Sequence, residues 1–142
     1  MRVVVGQGSC GIATGAKKTA AEFEKLIAER NLEGIEVSLT GCVGTCYLEP
    51  IVDVYDDHGQ MTRYTKVKPE KVSEIIENHL INGKVFGDLE ITDQDTSFID
   101  KQMRIVLRNC GIINPEIIEE YIAAGGYEAT KKGVTSMTQE EV

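Results

Sequence analysis

The chain of 142 residues contains no tryptophan, only eight phenylalanines and tyrosines together, and no long apolar run. Few aromatic rings are therefore available for stacking on nucleic-acid bases. Acidic side chains outnumber basic ones by 23 to 15, and no basic run is long enough to follow a phosphate backbone. The sequence argues against nucleic-acid binding, membrane insertion and a signal peptide. We therefore expect a soluble, cytoplasmic protein.

The sequence also lacks the Cys-x-x-Cys pair that is typical of thiol–disulfide enzymes. His58 falls in an expected turn and His79 near the end of an expected helix, and neither has an obvious partner that would tune it for acid–base work. No set of nucleophile, base and orienting group can be assembled. We assign no catalytic residue and expect a non-catalytic subunit or a fragment of an oxidoreductase.

Three of the four cysteines follow the ends of expected strands. Cys42 and Cys46 flank a short loop that contains glycine, and Cys10 stands in the glycine-rich segment 6–11 between an apolar strand and a helix. Cytoplasmic cysteines are more often metal ligands, redox groups or buried apolar side chains than disulfide partners. We predict that Cys10, Cys42 and Cys46 form one metal site.

The expected elements follow the order β-α-β-β-β-α. Apolar residues at helical spacing predict one helix from about Ala13 to Arg30 and another from Glu70 to about Ile81. Four strands are predicted, the last two forming a hairpin: Arg2–Val5, Ile35–Leu39, Ile51–Tyr55 and Met61–Thr65. This order predicts an α/β fold with a small mixed sheet flanked by helices, an arrangement that resembles thioredoxin-like proteins.

Residues 87–142 differ from residues 1–86 and carry most of the net charge of −8. The segment Phe86–Asp100 has no sustained period, and Ile105–Leu107 suits only a short strand. One helix is predicted between Asn114 and Gly125, and a single amphipathic helix cannot bury its own apolar face. We predict a domain over residues 1–86 and an extended, partly helical docking arm over residues 87–142.

The last five residues, Thr138 to Val142, have the pattern of a capping box. Thr138 is placed to accept a hydrogen bond from a backbone amide three residues on, and Glu141 to reach back. A capping box begins a helix, and here no helix body follows it. We therefore expect the chain to be the front portion of a longer polypeptide, either truncated or encoded separately.

Several motifs together resemble a known family. The pattern Gly-Cys-x-Gly-x-Cys over residues 41–46, followed by Pro50 and an apolar strand, is similar to that of the thioredoxin-like 2Fe-2S ferredoxins. The closest resemblance is to the version fused to the flavin- and NADH-binding subunit of complex I-like NADH dehydrogenases and NAD-linked iron hydrogenases. Later motifs resemble the lead-in to the flavin domain of that subunit: Leu107–Gly111, Ile118–Ile122, Gly126–Ala129 and Met137–Glu141.

The resemblance implies a 2Fe-2S cluster bound by Cys10, Cys42 and Cys46. In the fused family the first cysteine pair reads Cys-x4-Cys, which places Val5 at the position of the fourth thiolate. The ligand set is therefore incomplete, and a non-cysteine ligand such as Ser9 or solvent would complete it. Cys110 is interpreted as a small buried apolar side chain. A structural zinc ion is an alternative occupant.

The resemblance also implies what the chain does. An electron-transfer module of an NADH-oxidising complex would pass single electrons to flavoprotein and iron–sulfur subunits. The NADH loop and the cysteines of the next cluster lie further along the family's subunit, so we expect no FMN or NAD site here. An alternative is a cluster-free thioredoxin-like module that holds the subunits together, which the missing thiolate at Val5 favours. A thiol–disulfide enzyme is a third hypothesis.

Overall fold

The computed structural model describes all 142 residues and contains one four-stranded mixed sheet. The strands are β1 (Arg2–Gly6), β2 (Glu36–Thr40), β3 (Val52–Tyr55) and β4 (Met61–Tyr64), in the spatial order β2-β1-β3-β4. β1 is parallel to β2 and antiparallel to β3, and β3 is antiparallel to β4. The predicted strands, the hairpin and the α/β class are confirmed.

The connection from β1 to β2 contains two helices, α1 (Ser9–Thr14) and α2 (Ala16–Glu29). The prediction of one helix beginning at about Ala13 is wrong at its start. Gly15 has a φ of 105°, a left-handed conformation that glycine adopts without a steric penalty and that ends α1. Helical structure begins at Ser9, four residues earlier than predicted, so Cys10 lies on α1 instead of in a loop.

The predicted second helix begins as α3 (Pro69–Ile75) and continues as a π-helical segment over Ile76–Ile81. Pro69 occupies the first helical position, where its missing N–H costs no intrahelical hydrogen bond. The helices α2 and α3 cover one face of the sheet. The main core forms there from strand valines, Phe23 of α2, Tyr64 of β4 and the isoleucines of α3 and its continuation.

The opposite sheet face contains buried polar side chains, including Ser38, Thr40 and Asp53. Asp53 forms a bidentate ion pair with Arg63, with N–O distances of 2.7 and 2.6 Å. Thr40 hydrogen-bonds the segment around Gly111. Part of the C-terminal region therefore lies on this face and satisfies its polar groups.

The region after Phe86 contains more helix than the sequence analysis predicts. It forms α4 (Asp93–Asp100), α5 (Ile118–Ala123) and α6 (Glu128–Ser136). The interpretation of 86–100 as aperiodic linker is wrong for α4, whose start is capped by the Thr92 side chain accepting from the Asp95 amide. The prediction of α5 is confirmed in place, whereas Ile105–Leu107 forms bends and turns instead of a strand.

Only Gly111 and Asn114 are buried after residue 86. At the end of the chain, the Glu141 carboxylate accepts hydrogen bonds from the Thr138 amide and hydroxyl, at 2.8 and 3.0 Å. This is the back-reaching half of the predicted capping box. None of the helices is both long and apolar enough to cross a bilayer.

Candidate metal centre

The three predicted thiols converge at one end of the sheet. The Cys10 sulfur lies 3.3 Å from the Cys42 sulfur, which lies 3.6 Å from the Cys46 sulfur, and all three fall within 4.8 Å of one another. They meet because β1 and β2 are parallel, so the loop after each strand leaves the same edge of the sheet. The convergence that the sequence predicted for Cys10, Cys42 and Cys46 is present.

The spacing of the sulfurs suits a shared ion. Two thiolates bound to one tetrahedral ion at about 2.3 Å lie about 3.8 Å apart, whereas a disulfide needs about 2.05 Å. The distances from Cys42 to its two neighbours are close to the first value, and all four cysteines are free thiols. The arrangement therefore presents three sulfur donors toward one centre.

Gly8 allows the two loops to approach each other. A Cβ atom built on Gly8 would lie 2.6 Å from the Cβ of Cys42 and 3.0 Å from its backbone nitrogen. The φ of Gly8 is −62°, which any residue adopts, so the requirement for glycine comes from the close approach alone. A larger residue would separate the loop of Cys10 from that of Cys42.

The loop between Cys42 and Cys46 carries polar groups suited to a sulfur-rich centre. The Gly44 amide donates a hydrogen bond to the Cys42 sulfur at 3.3 Å. The hydroxyl of Thr45 is buried and has no hydrogen-bond partner. A buried hydroxyl normally has one, and a bound cluster would supply additional acceptor sulfurs at this loop. Cys46 itself begins a short 3-10 helix.

The thiols differ in exposure, and the Cys10 thiol is held in its protonated form. Cys46 is exposed, whereas Cys10 and Cys42 are partly buried. Burial raises the pKa of Cys10 to about 12, with further contributions from hydrogen bonds to Cys42 and Cys46 and from the charge of Glu49. The metal-free Cys10 side chain is therefore a thiol at neutral pH, and a metal ion must displace its proton to bind.

The other candidates lie apart from this group. Cys110 is partly buried near Gly41 and does not belong to the group of three converging sulfurs. Ser9 is exposed at the start of α1. The buried ring of His79 accepts from or donates to the Tyr64 hydroxyl through Nδ1 at 2.8 Å, which gives it a packing role in the core. His58 is exposed in the turn between β3 and β4.

Val5 does not face the thiols. Its side chain is fully buried in the core cluster that also contains Phe23 and Val52. Neighbouring residues of a strand point to opposite faces, so Gly6 and not Val5 faces away from this core. A Cβ built on Gly6 would lie 3.2 Å from both carboxylate oxygens of Glu49.

Glu49 is a residue of the site that the sequence analysis missed. The residue is only 6% exposed, and one carboxylate oxygen, Oε1, lies 3.8 Å from the Cys10 sulfur. The other oxygen accepts a hydrogen bond from the Ile51 amide at 2.8 Å, and the Glu49–Pro50 peptide bond is cis. Burial raises the pKa of this carboxyl, although the hydrogen bonds from Ile51 and Cys10 partly oppose that shift. The sequence signal was a carboxylate three residues after Cys46.

Gly6, Gly8 and Gly11 also have the Gly-x-Gly-x-x-Gly spacing of dinucleotide-binding loops. Here the Glu49 carboxylate lies beside two of them, because a Cβ on Gly11 would be 3.1 Å from its Oε2. A negative group at this place disfavours a pyrophosphate. The glycines instead make room for the carboxylate and for the approach of Cys42.

These observations define a class: a thioredoxin-like α/β fold with a cluster of three thiols and a buried carboxylate at one sheet edge. The chain matches no protein-family model. It is 38% identical over 87 residues to a 2Fe-2S ferredoxin from Aquifex aeolicus (strain VF5), across 61% of this chain and 76% of that protein. The chain belongs to the family of thioredoxin-like 2Fe-2S ferredoxins.

A solved structure of the Aquifex aeolicus thioredoxin-like ferredoxin matches with a TM-score of 0.56 and 28% identity, covering 64% of this chain and 89% of that one. Two further structures of that ferredoxin are serine variants of two cysteines four positions apart, the separation of Cys42 and Cys46 here. Subunit HndC of an NADP-reducing hydrogenase from Solidesulfovibrio fructosivorans is 57% identical over 42 residues. That stretch is 30% of this chain and 8% of the subunit.

Proposed function

We propose that the chain binds a 2Fe-2S cluster through Cys10, Cys42 and Cys46 and transfers single electrons. The observation that carries the proposal is the convergence of three sulfurs from two separate loops within 4.8 Å. The similarity to 2Fe-2S ferredoxins supports the choice of an iron–sulfur cluster over the alternative of structural zinc. When bound, the cluster supplies one-electron chemistry, and the residues of the chain supply its ligands and surroundings.

The chain's own residues prepare this centre in three ways. Cys10, Cys42 and Cys46 hold the iron as thiolates, and the pKa of Cys10 means that binding releases its proton. The Gly44 amide, which donates to the Cys42 sulfur, stabilises negative charge there and thereby favours the reduced centre. The exposure of Cys46 leaves one ligand near solvent, where an electron partner can approach.

The partners that we propose are the flavoprotein and iron–sulfur subunits of an NADH-oxidising assembly in the cytoplasm, of the dehydrogenase or hydrogenase type. The similarity of 42 residues to the HndC subunit supports a multi-subunit hydrogenase. Within the chain, residues 1–86 would form the cluster domain and 87–142 the docking arm. The exposure of Met103, Ile105 and Val106 supports the arm, because their side chains lack a covering surface.

The experiment is anaerobic reconstitution with iron and sulfide, followed by metal analysis, a visible spectrum and electron paramagnetic resonance (EPR) of the reduced protein. The wild-type chain should bind two irons, and Cys10→Ser, Cys42→Ser and Cys46→Ser should each lose much of the iron or change the spectrum. The matched control, Cys110→Ser, should keep both. An iron-free wild-type protein that resists reconstitution would contradict the proposal and favour the cluster-free docking module.

A further inference from the structure

The Glu49 carboxylate is positioned like a ligand. A tetrahedral ion that binds sulfur at about 2.3 Å and a carboxylate oxygen at about 2.0–2.2 Å holds the two donors about 3.5–3.7 Å apart. In the structure Oε1 of Glu49 lies 3.8 Å from the Cys10 sulfur. This oxygen is therefore within range of a centre that Cys10 also binds.

Glu49 is buried without an ion-pair partner. The residue is 6% exposed, yet no nitrogen of lysine, arginine, histidine or the N-terminus forms an ion pair with its carboxylate. The nearby Arg63 is engaged with Asp53. An isolated buried carboxylate is unfavourable unless it is paired or coordinates a metal. The Cys10 thiol is the only partner of Oε1.

The surrounding backbone holds this carboxylate in one place. The Ile51 amide donates to Oε2 at 2.8 Å, which directs the other oxygen toward Cys10. Gly6 leaves space for the carboxylate, because a Cβ there would lie 3.2 Å from both of its oxygens. A Cβ on Gly11 would meet the Gly6 carbonyl oxygen first and would also lie 3.1 Å from Oε2 of Glu49. Two glycines and a backbone hydrogen bond thus form a cradle for the group.

We propose that Glu49 is the fourth protein ligand of the cluster, taking the place of a fourth cysteine. The proposal rests on the proposed function, because it concerns a ligand of that same centre. It differs from completion by Ser9, which is exposed at the start of α1, and from recruitment of Cys110, whose sulfur lies beside Gly41. A carboxylate carries the same single negative charge as a thiolate, so the exchange leaves the net charge of the centre unchanged.

The test compares reconstituted wild-type protein with Glu49→Gln, which keeps the size and the acceptor for the Ile51 amide. We expect Glu49→Gln to bind severalfold less iron, or to bind it with a changed EPR spectrum, while its metal-free form keeps the wild-type circular dichroism. Glu33→Gln is the matched control at an exposed carboxylate and should equal wild type in both readouts. Ser9→Ala and Cys110→Ser should likewise keep the iron content and EPR spectrum of the wild-type protein.

A second variant exploits the cradle. Because the Cβ direction of Gly6 points at the carboxylate, Gly6→Cys combined with Glu49→Ala should place a thiol in the same space and restore iron binding. Mössbauer spectra provide a measurement on the wild-type protein that does not depend on a variant folding. One oxygen donor makes the two irons inequivalent, so two doublets are expected, and Gly6→Cys/Glu49→Ala should give one.

The outcomes separate this proposal from the one on which it rests. If wild-type protein binds two irons and Glu49→Gln has the same iron content and EPR spectrum, Glu49 is not a ligand and the cluster proposal stands. A single wild-type Mössbauer doublet would likewise overturn the role of Glu49. If wild-type protein takes up no iron at all, the cluster proposal fails together with its fourth ligand.

Discussion

The hydroxyl of Thr40 is hydrogen-bonded to Gly111, whose amide donates to it at 2.9 Å across 71 residues of sequence. The same hydroxyl donates to the Ile113 carbonyl at 2.9 Å. Thr40 is the last residue of β2 and stands two positions before Cys42. One side chain therefore fastens the C-terminal region to the strand that leads into the metal centre.

Replacing Thr40 should loosen this attachment. Thr40→Val removes both hydrogen bonds and leaves the buried Gly111 amide without its acceptor, which costs about 1–3 kcal/mol. Hydrogen exchange followed by mass spectrometry should then show faster exchange over residues 109–115, with β1 and β3 unchanged. Thr130→Val, at an exposed position of α6, is the control. Equal protection in both variants would contradict this role of Thr40.

The ion pair of Asp53 and Arg63 should contribute strongly to stability only as a pair. Asp53 is 2% exposed and Arg63 11%, so Asp53→Ala leaves a charge with little access to water and should cost about 3–5 kcal/mol in urea unfolding. The double variant Asp53→Val/Arg63→Met should recover most of this loss. If the loss of stability in the double variant equals the sum of the losses from replacing Asp53 alone and Arg63 alone, the two residues are not coupled.

The exposed pair of Lys71 and Glu74 provides the comparison. Its atoms are 2.8 Å apart, but both side chains are more than two-fifths exposed. Solvent-exposed pairs contribute about 1 kcal/mol or less, so Glu74→Ala should change the free energy of unfolding far less than Asp53→Ala. Similar losses at both sites would show that burial does not set the value of these pairs.

His79 should make the fold sensitive to acid. Burial lowers its pKa below the ordinary value of 6.5, so the unfolded chain binds a proton more readily than the folded one. The contribution of His79 to the free energy of unfolding is fully present above about pH 6.5, and it decreases as the pH falls from there toward the pKa of His79 in the folded protein. Urea unfolding between pH 7.5 and 5.5 should therefore show a smaller decrease for His79→Gln than for wild type. His58→Gln, at the exposed turn, should keep the wild-type decrease.

Gly8→Ala should damage the metal centre without unfolding the protein. The added methyl group would lie 2.6 Å from the Cβ of Cys42, so the two loops must separate. We expect at least a severalfold loss of bound iron after reconstitution, with near-native circular dichroism. Gly87→Ala is the control because no atom lies within 4 Å of its added Cβ. Full iron binding by Gly8→Ala would show that the close approach is dispensable.

The sequence predicted the sheet and the thiol group because both depend on local signals. Alternating or β-branched runs marked all four strands, and the glycine-rich ends of β1 and β2 placed Cys10 and Cys42 at a common edge. The break between α1 and α2 was missed because the sequence does not show that Gly15 adopts a left-handed φ. The cap at Thr92 was overlooked, so α4 was missed as well.

The role of Glu49 was not accessible from sequence in the same way. A glutamate before a proline is usually a solvent-exposed loop residue, whereas here tertiary packing buries Glu49 and brings its carboxylate against Gly6 and Gly11. The motif comparison pointed to Val5, whose neighbour in the strand faces the site instead. A shift by one residue reverses the direction of a strand side chain, so spacing alone could not resolve it.

The difference in exposure between Cys10 and Cys46 gives the metal centre a buried side and a solvent-facing side. Two sulfurs stand at the protein side of the group and one at the rim, next to the exposed ring of Tyr47. An electron that enters or leaves such a centre has its shortest path to solvent through Cys46, so a redox partner would bind next to this residue. The sheet and its helices cover the other side of the thiol group, so electrons would enter and leave at the exposed Cys46 side.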